Sequence, residues 1–442
     1  MPQKASRPRL IQAMIDAFSL PDLRRRILIT FGILVVFRII AHIPVPNINR
    51  DALANVFQAN PLFGMFDMFS GGALRNFSVA AMGVYPYITS SIVMTLMTPV
   101  IPRLQALSQE GESGRNKINL ITHWLTVPLA ALSGYGQLVL LQRANPPAIG
   151  ATSGLETVAI ILSLIAGTMF LVWLGEQITE YGIGNGISII IFAGIMAGMP
   201  TQIGQAFVAG QQGQILGLIV FILLALATTY FIVVFTEAHR RIPVQYAKSI
   251  FRGGKMYRQS GSSYIPLRVN TAGMIPLIFA MAIVVFPGIV ASYFMNPTGE
   301  APNLANHIYN IFNSNAPMPL GLVYWSLYFL LVIGFAFFYT TVVFQQQDLP
   351  GVLQRQGGFV PGIRPGKQTE TYLNNVIMRI TWAGALFLAL VAILPFVGQQ
   401  ITGVQGLQLS STGLLIVVGV VLDTMKQMEA QLAMRRYEGF IK

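Results

Sequence analysis

The chain has 442 residues, of which 54% are hydrophobic and only 10% are charged, and its mean hydropathy is +0.61. Because soluble domains carry about 25% charged residues, this composition excludes an ordinary soluble protein and indicates an integral membrane protein. The formal net charge is +12, there is no cysteine, and the four histidines are far apart, which argues against disulfides, thiolate chemistry and a metal site.

Uninterrupted apolar stretches of about 20 residues, the length of helix that crosses a ~30 Å hydrocarbon core, recur along the chain. They predict an all-α integral membrane protein with ten transmembrane helices. The predicted spans are centred near residues 35, 88, 130, 166, 191, 225, 283, 332, 388 and 418. The last span is the weakest, because its apolar part is short and runs into Asp423 and Lys426.

The first span follows a basic segment and is succeeded by Pro44-Val45-Pro46 instead of a small-residue cleavage site, so no cleavable signal peptide is expected. Arg38 lies in the outer half of this span. An Arg at a helix centre costs about 2.5–3.5 kcal/mol on insertion scales. We therefore expect the Arg38 side chain to face protein. It can pair with a partner there or extend towards the membrane surface.

A short apolar run at residues 62–69 comes next and is far too short to cross a bilayer. Ser70-Gly71-Gly72 breaks this run and is expected to supply a flexible joint to the second span. An apolar helix exposed to water is unfavourable unless it folds into a cavity. The residues alone leave two interpretations open: a stopper hinged to a pore-lining span, or an interfacial helix on the outer leaflet.

Motifs for catalysis are missing from the sequence, which has no H-E-x-x-H and no G-x-x-x-x-G-K-[ST]. The glycines at 182, 184 and 186 resemble a nucleotide loop only superficially, because no strand precedes them, and they predict a tight turn between two spans. The spans are almost free of carboxylates and histidines. Ion-coupled transporters need such groups inside the membrane, so a passive pore or a scaffold is favoured.

Loop charge predicts the orientation, because short cytoplasmic loops carry the excess of Lys and Arg. Of the 28 basic residues, 23 lie in the two termini and the even-numbered loops, and only three lie in the opposite loops. Both termini are therefore expected in the cytoplasm.

The expected segments are a cytoplasmic N-terminus (1–26), a five-span N-terminal half (27–198), an external hinge loop (199–214), a five-span C-terminal half (215–433) and a cytoplasmic tail (434–442). Because each half has an odd number of spans, a two-fold relation between them would be inverted.

Two of the predicted cytoplasmic loops, 237–268 and 345–372, are long, basic and rich in turn residues. The alternation in IPVQYAKSI predicts a hairpin with Gly253-Gly254 as its turn. These loops are either positive-inside topology signals or a docking surface for a large partner. A topology signal alone needs neither this length nor the Pro361-Gly362 and Pro365-Gly366 turns.

Six stretches, spread from the first span to the ninth, carry a resemblance to a known family. They are MFDMFSGGAL (65–74), VYPYITSSI (84–92), EGESGRNKI (110–118), GTMFLVWLGEQITEYGIGNGISIIIFAGI (167–195), YIPLRVNTAGMIP (264–276) and GGFVPGIRPGKQT (357–369). The sequence resembles the SecY family of protein-conducting channels over nearly its whole length.

This resemblance implies two inverted five-helix halves around a central pore in the bacterial cytoplasmic (inner) membrane. It implies a channel that translocates unfolded preproteins and inserts hydrophobic helices sideways into lipid, without catalytic residues or cofactors. The implied partners are SecE, SecG, the SecA ATPase, the ribosome through its RNA, signal sequences and membrane lipid. The alternatives are a small-solute secondary transporter, which also has inverted repeats and basic inner loops, and a structural scaffold.

The resemblance also implies roles for individual residues. The plug, a short helix that closes the pore from outside, contains Phe63, Met65, Phe66, Asp67, Phe69, Ser70, Gly71 and Gly72. The apolar pore ring comprises Val84, Ile88, Ile191, Met274, Ile278 and Ile416, of which Val84 and Met274 depart from the isoleucine-rich family pattern. A lateral gate to lipid contains Asn270, with Thr89 and Thr95 as candidate hydrogen-bond partners. The docking residues are Arg240, Arg241, Lys248, Arg252, Lys255 and Arg258 for ribosomal RNA phosphates, and Arg364 for SecA.

Overall fold

The fold is given by a computed structural model, which describes residues 20–46, 48–59, 67, 70–143, 147–150, 152–211, 215–252, 255–271, 273–294, 303–313, 319–402 and 411–438. The helices are, in chain order, α1 (Pro21–Ile40), α2 (Arg50–Ala59), α3 (Tyr85–Met97), α4 (Pro102–Gln109), α5 (Glu112–Arg143), α6 (Gly154–Tyr181), α7 (Gly186–Gln211), α8 (Ile215–Glu237), α9 (Ile275–Phe294), α10 (Leu304–Ile311), α11 (Leu320–Gln347), α12 (Leu349–Arg355), α13 (Lys367–Thr402) and α14 (Ser411–Glu438). The strands are β1 (His239–Arg252), β2 (Lys255–Arg268) and β3 (Gly358–Phe359).

Ten of these helices coincide with the predicted spans, namely α1, α3, α5, α6, α7, α8, α9, α11, α13 and α14. Within the described ranges, four stretches are long and apolar enough to cross a membrane: Glu112–Gln142, Gly154–Tyr181, Leu320–Arg355 and Lys367–Leu394. The helical class is as predicted, whereas the number of membrane crossings stays a prediction.

The turn between α6 and α7 is fixed by α1. Thr30 Oγ1 accepts a hydrogen bond from the Ile183 N–H at 3.2 Å, and Arg26 Nη1 donates to the Gly182 carbonyl at 3.5 Å. Gly184 has a φ of +84°, a left-handed conformation that favours glycine. These side chains satisfy backbone groups that a helix end leaves unpaired. The predicted tight turn is confirmed.

The largest apolar core joins the two predicted halves of the chain. It contains buried side chains from α1, α3, α6 and α7 of the first half and from α8, α9, α11, α13 and α14 of the second. A smaller core packs α2, α5 and α6 against residues 74–82. The interior is therefore shared between the halves, as an architecture with a central pore requires.

The strands form a small antiparallel sheet in the order β2-β1-β3. At one end of the β1–β2 hairpin His239 pairs with Arg268, and at the other Arg252 pairs with Lys255, which confirms the predicted hairpin. The two-residue strand β3 pairs with β1 opposite Gln245. Because β3 comes from the second long loop, the two loops share one sheet.

An apolar cluster fastens this sheet to the helices that follow it. Ile242 and Val244 of β1 are buried with Leu353 of α12, Val360 next to β3 and Leu373 of α13. We call β1, β2, β3, α12 and residues 360–366 the loop platform. Two loops predicted as separate segments thus form one body.

A glycine contact between α6 and residue 79 gives a first testable prediction. A Cβ at Gly167 would collide with the Val79 backbone, lying 2.7 Å from its carbonyl carbon, whereas a Cβ at Gly154 would meet nothing within 4 Å. We expect Gly167→Ala to destabilise the fold by about 1–3 kcal/mol through overpacking, seen as a lower midpoint of thermal unfolding in detergent. Gly154→Ala, in the same helix, should leave the midpoint unchanged or slightly higher. Equal midpoints for the two variants would contradict this packing.

Candidate functional site

The six predicted pore-ring residues all belong to, or pack against, the core that joins the halves. Val84, Ile88, Ile191, Ile278 and Ile416 are all buried members of this core, and the partly buried Met274 packs against it. They are contributed by α3, α7, α9 and α14 and by the residues just before α3 and α9. Both halves therefore supply apolar side chains to one region. That these side chains form a constriction stays a prediction.

Local structure explains how two of these helices present ring residues. A turn with Gly83 at a φ of +56° leads into α3, which begins with Pro86 in its first turn. Positions four apart lie on the same face of a helix. Val84 and Ile88 are four apart, as are Met274 and Ile278, so each pair is stacked along one helix face.

Part of the predicted plug lies within the described residues, namely Asp67, Ser70, Gly71 and Gly72. The other plug residues, Phe63, Met65, Phe66 and Phe69, lie outside them. The proposed apolar surface of the plug therefore stays a prediction.

The Asp67 carboxylate is the centre of a compact set of contacts. It is 5% exposed, its Oδ2 lies 2.7 Å from Nε of Arg75, and its Oδ1 accepts a hydrogen bond from the Arg75 N–H at 3.1 Å. Burial raises the pKa of the Asp67 carboxyl above its ordinary value, although the Arg75 guanidinium acts in the opposite direction. A buried charge is unfavourable unless it is paired, and this ion pair ties Asp67 to Arg75.

The joint at Ser70-Gly71-Gly72 is not the loose connection expected from its composition. Ser70 is 1% exposed, and its Oγ donates to the Asp67 carbonyl and accepts from the Leu74 N–H. Arg38 Nη1 of α1 donates to the Gly71 carbonyl at 2.7 Å. Arg38 therefore faces protein, as expected. No sequence pattern indicates its partner, which is 33 residues away.

The predicted lateral-gate residues do not form the expected hydrogen bonds with one another. Thr89 Oγ1 donates to the Tyr85 carbonyl and Thr95 Oγ1 to the Ser91 carbonyl, both within α3. Asn270 is buried just before α9. Threonine hydroxyls in helices readily donate to a carbonyl one turn back, and their oxygens can still accept a hydrogen bond, so the choice of Thr89 or Thr95 as partner of Asn270 stays a prediction. The gate role itself stays a prediction.

The predicted docking residues lie on the loop platform. Arg240 and Arg241 are exposed on β1, and the Arg241 guanidinium lies 4.9 Å from the centre of the Tyr264 ring, within cation–π distance. The remaining basic positions belong to the two hairpin strands, with side chains outside the described part of the structure: Lys248, Arg252, Lys255 and Arg258. Arg364 is exposed between Gly362 and Gly366, whose φ angles are +82° and +100°.

Two groups of polar contacts were not predicted, because their members are distant in sequence. His123 Nε2 of α5 lies 3.1 Å from Glu176 Oε1 of α6, beside the Tyr87 ring of α3. Lys426 Nζ of α14 lies 2.7 Å from Glu237 Oε1 of α8, and Arg268 Nη1 lies 3.7 Å from Asp423 Oδ1. A cavity of about 360 Å³ is lined in part by three of these residues, Arg268, Asp423 and Lys426, and by Met274, a predicted ring residue. Among the residues that the structure describes, no three acidic or histidine side chains are placed to hold a metal ion.

These features define a class of protein. Helices of two halves share one apolar interior, residue 71 is hydrogen-bonded to the first helix, and a basic loop platform adjoins the second half. This is the architecture of a helical membrane channel.

Comparisons with known proteins identify the family. The family model described as SecY matches residues 78–425. The protein translocase subunit SecY of Halalkalibacterium halodurans is 44% identical over 443 residues, covering 98% of this chain and 100% of the relative. The chain therefore belongs to the SecY family, which confirms the resemblance found in the sequence.

Solved structures agree on the fold. A protein-conducting channel superposes with a TM-score of 0.65 at 16% identity, covering 94% of this chain and 96% of the other. Sec61 in the canine ribosome-channel complex from the endoplasmic reticulum gives a TM-score of 0.64 at 16% identity, with the same coverage. The predicted fold class is thereby confirmed.

Proposed function

We propose that this chain is the channel-forming subunit of a protein translocase, through which unfolded preproteins cross a membrane and from which hydrophobic helices enter lipid. The observation that carries the proposal is the convergence of ring side chains from both halves in one apolar core. Membership of a family of protein translocase subunits supports the same function.

The proposed mechanism follows from the physical properties of an apolar constriction. A ring of Ile, Val and Met side chains excludes hydrated ions by dewetting, yet it contains no charge that would bind and retain a passing chain. Side chains around the ring can yield to an unfolded polypeptide and return afterwards. In the resting state the plug, held through Asp67 and Gly71, adds a second barrier. Lateral opening beside Asn270 releases hydrophobic segments to lipid.

We further propose the partners and the membrane. SecE and SecG complete the complex, and SecA with ATP or a translating ribosome supplies the driving force. One similar structure is a Sec61 channel in a complex with a ribosome, and Arg240 and Arg241 are exposed cations suited to phosphates. The loop charges support a location in the bacterial cytoplasmic membrane with both termini inside.

A cross-linking experiment tests the proposed function. Because the chain has no cysteine, Ile278→Cys or Ile88→Cys introduces a unique thiol at the ring. A preprotein with one cysteine, stalled during export into vesicles, should form a disulfide with either position. Leu162→Cys on α6, where the native side chain is 59% exposed, serves as the lipid-facing control and should not react. Export without a cross-link at either ring position would contradict a path through this ring, and failure of the chain with its partners to export any preprotein would favour a small-solute transporter.

A further inference from the structure

We propose that Arg38 is a positioning residue of this channel. By holding the Gly71 carbonyl between α1 and α7, Arg38 fixes the point about which the plug moves, and it thereby sets how tightly the resting channel closes. We call residues 70–72 the pivot. The inference rests on the proposed function, because a plug has a resting position only in a channel.

The first step is the contact itself. Arg38 lies in the last turn of α1, and its Nη1 donates to the Gly71 carbonyl at 2.7 Å. A backbone carbonyl that is shielded from water needs a donor. A charged donor forms a stronger hydrogen bond than a neutral one. The contact therefore selects one position of the pivot along α1.

The second step is the groove in which the pivot lies. A Cβ at Gly71 would lie 2.7 Å from Cζ of Phe37 and 2.9 Å from Cα of Gly194. Phe37 is a fully buried residue of α1, and Gly194 is a buried residue of α7. The backbone at Gly71 is therefore pressed between two helices. At Gly72 a Cβ would meet nothing within 4 Å, so the close contact is confined to one residue.

The third step is the rigidity of the segment that Arg38 holds. The Gly72 N–H donates to the Asp67 carbonyl at 3.0 Å, and the ion pair between Asp67 and Arg75 closes the turn from the other side. Ser70 Oγ bridges the Asp67 carbonyl and the Leu74 N–H. Asp67 is itself a plug residue. A force on the Gly71 carbonyl is therefore transmitted to the plug instead of being absorbed by a loose loop.

These contacts together give Arg38 a defined role. Asp67 of the plug is bonded to Gly72 and Arg75. Gly71 is seated between α1 and α7, and Arg38 holds the Gly71 carbonyl there. Loss of Arg38 removes the hydrogen bond but leaves the pore ring and the translocation path unchanged. The closed position of the plug should become less populated, while polypeptide transport continues.

The experiment measures the resting ion conductance of the full chain, reconstituted with its partner subunits in planar bilayers. We expect Arg38→Ala to raise this conductance about 5–30-fold, the change in a two-state ratio that loss of one strong contact produces. ATP-driven preprotein export should continue at or above the wild-type rate. Arg38→Lys, which keeps the charge and a donor, should restore most of the closure. Arg25→Gln on the exposed side of the same helix is the control and should leave the conductance unchanged.

A matched glycine pair tests the same pivot without altering Arg38. Gly71 and Gly72 both have positive φ, +71° and +81°, so alanine is strained at each position. Only Gly71→Ala also collides with Phe37 and Gly194. We expect Gly71→Ala to leak clearly more than Gly72→Ala. Equal resting conductance in these two variants would contradict the seating of the pivot in the groove.

The outcomes separate the pivot from the channel. Wild-type resting conductance in Arg38→Ala overturns the role of Arg38, provided that the preprotein still cross-links to Ile278→Cys. If that cross-link fails in the otherwise wild-type channel, the channel function itself is wrong and the pivot is wrong with it. A joint fall in thermal midpoint and export, without a leak, would show that Arg38 only stabilises the fold.

Discussion

Replacing Ile88, Ile191 and Ile278 together by serine should make the resting channel conduct ions. These side chains come from α3, α7 and α9 and are buried in the core shared by the two halves. An apolar constriction excludes ions because water does not wet it, and three hydroxyls would provide hydrogen-bond partners for water. Lowering the barrier by only ~1.4 kcal/mol raises the ion flux about tenfold. Single-channel recording in planar bilayers measures the effect.

A control with the same chemistry on the same three helices separates a pore effect from a folding effect. Met94, Ile190 and Val284 are equally buried but lie on other faces of α3, α7 and α9. Their combined replacement by serine should lower the thermal midpoint at least as much as the ring triple. It should not raise the resting conductance. If both triples leak alike, or neither leaks, the assigned side chains do not seal a pore.

The elements that depend on local pattern could be predicted from the sequence. The ten helix positions follow from apolar runs, the hairpin follows from alternation that ends at two glycines, and the turn at 182–186 follows from glycine spacing. Each of these signals is contained within about 30 neighbouring residues. The pore ring is different, because its members were assigned by resemblance to a family and not by any periodicity.

The features that the sequence did not predict are contacts between distant segments. β3 has only two residues, too few to give a strand pattern, so its pairing with β1 could not be expected. The hydrogen bond from Arg38 to Gly71 joins a side chain to a carbonyl, which every residue carries. The pivot was expected to be flexible, because Ser-Gly-Gly indicates conformational freedom. In the structure, burial of Ser70 and the contact of Gly71 with α1 restrict the segment.

The lateral gate shows a further limit of sequence reasoning. The resemblance made Thr89 and Thr95 candidate hydrogen-bond partners of Asn270 across the seam. The structure instead gives each hydroxyl a carbonyl within its own helix. Sequence composition identifies which polar groups need partners but does not say whether the partner is local or distant.

Reversing the charge of Arg364 should slow motor-driven export strongly while leaving the fold and the resting conductance intact. The Arg364 side chain is exposed, and its carbonyl accepts a hydrogen bond from Thr369 Oγ1 at 2.9 Å. This bond anchors the loop to the first turn of α13, and the exposed guanidinium is the group we expect to meet a partner. Nearby Val360 is buried under the sheet, so the loop tip is carried by the rigid loop platform.

The size of the effect follows from the difference between a solvated charge and a docked one. An exposed side chain contributes within about ±0.5 kcal/mol to stability, so Arg364→Glu should fold normally. At the proposed interface with a SecA-type ATPase, two like charges placed opposite each other cost several kcal/mol of binding free energy. Every ~1.4 kcal/mol of lost binding free energy weakens binding tenfold. We therefore expect ATP-dependent preprotein export into vesicles to fall at least about tenfold.

Two further variants decide what the reversal means. Arg364→Lys keeps the charge but loses the planar fork that binds a carboxylate with two hydrogen bonds, so export should fall only partly. Lys367→Glu makes the same charge change three residues later, at the exposed start of α13, where an acidic residue is favoured by the helix dipole. It should export at close to the wild-type rate. If Arg364→Glu and Lys367→Glu slow export equally, the positive charge of the loop acts as a whole, and Arg364 has no specific docking role.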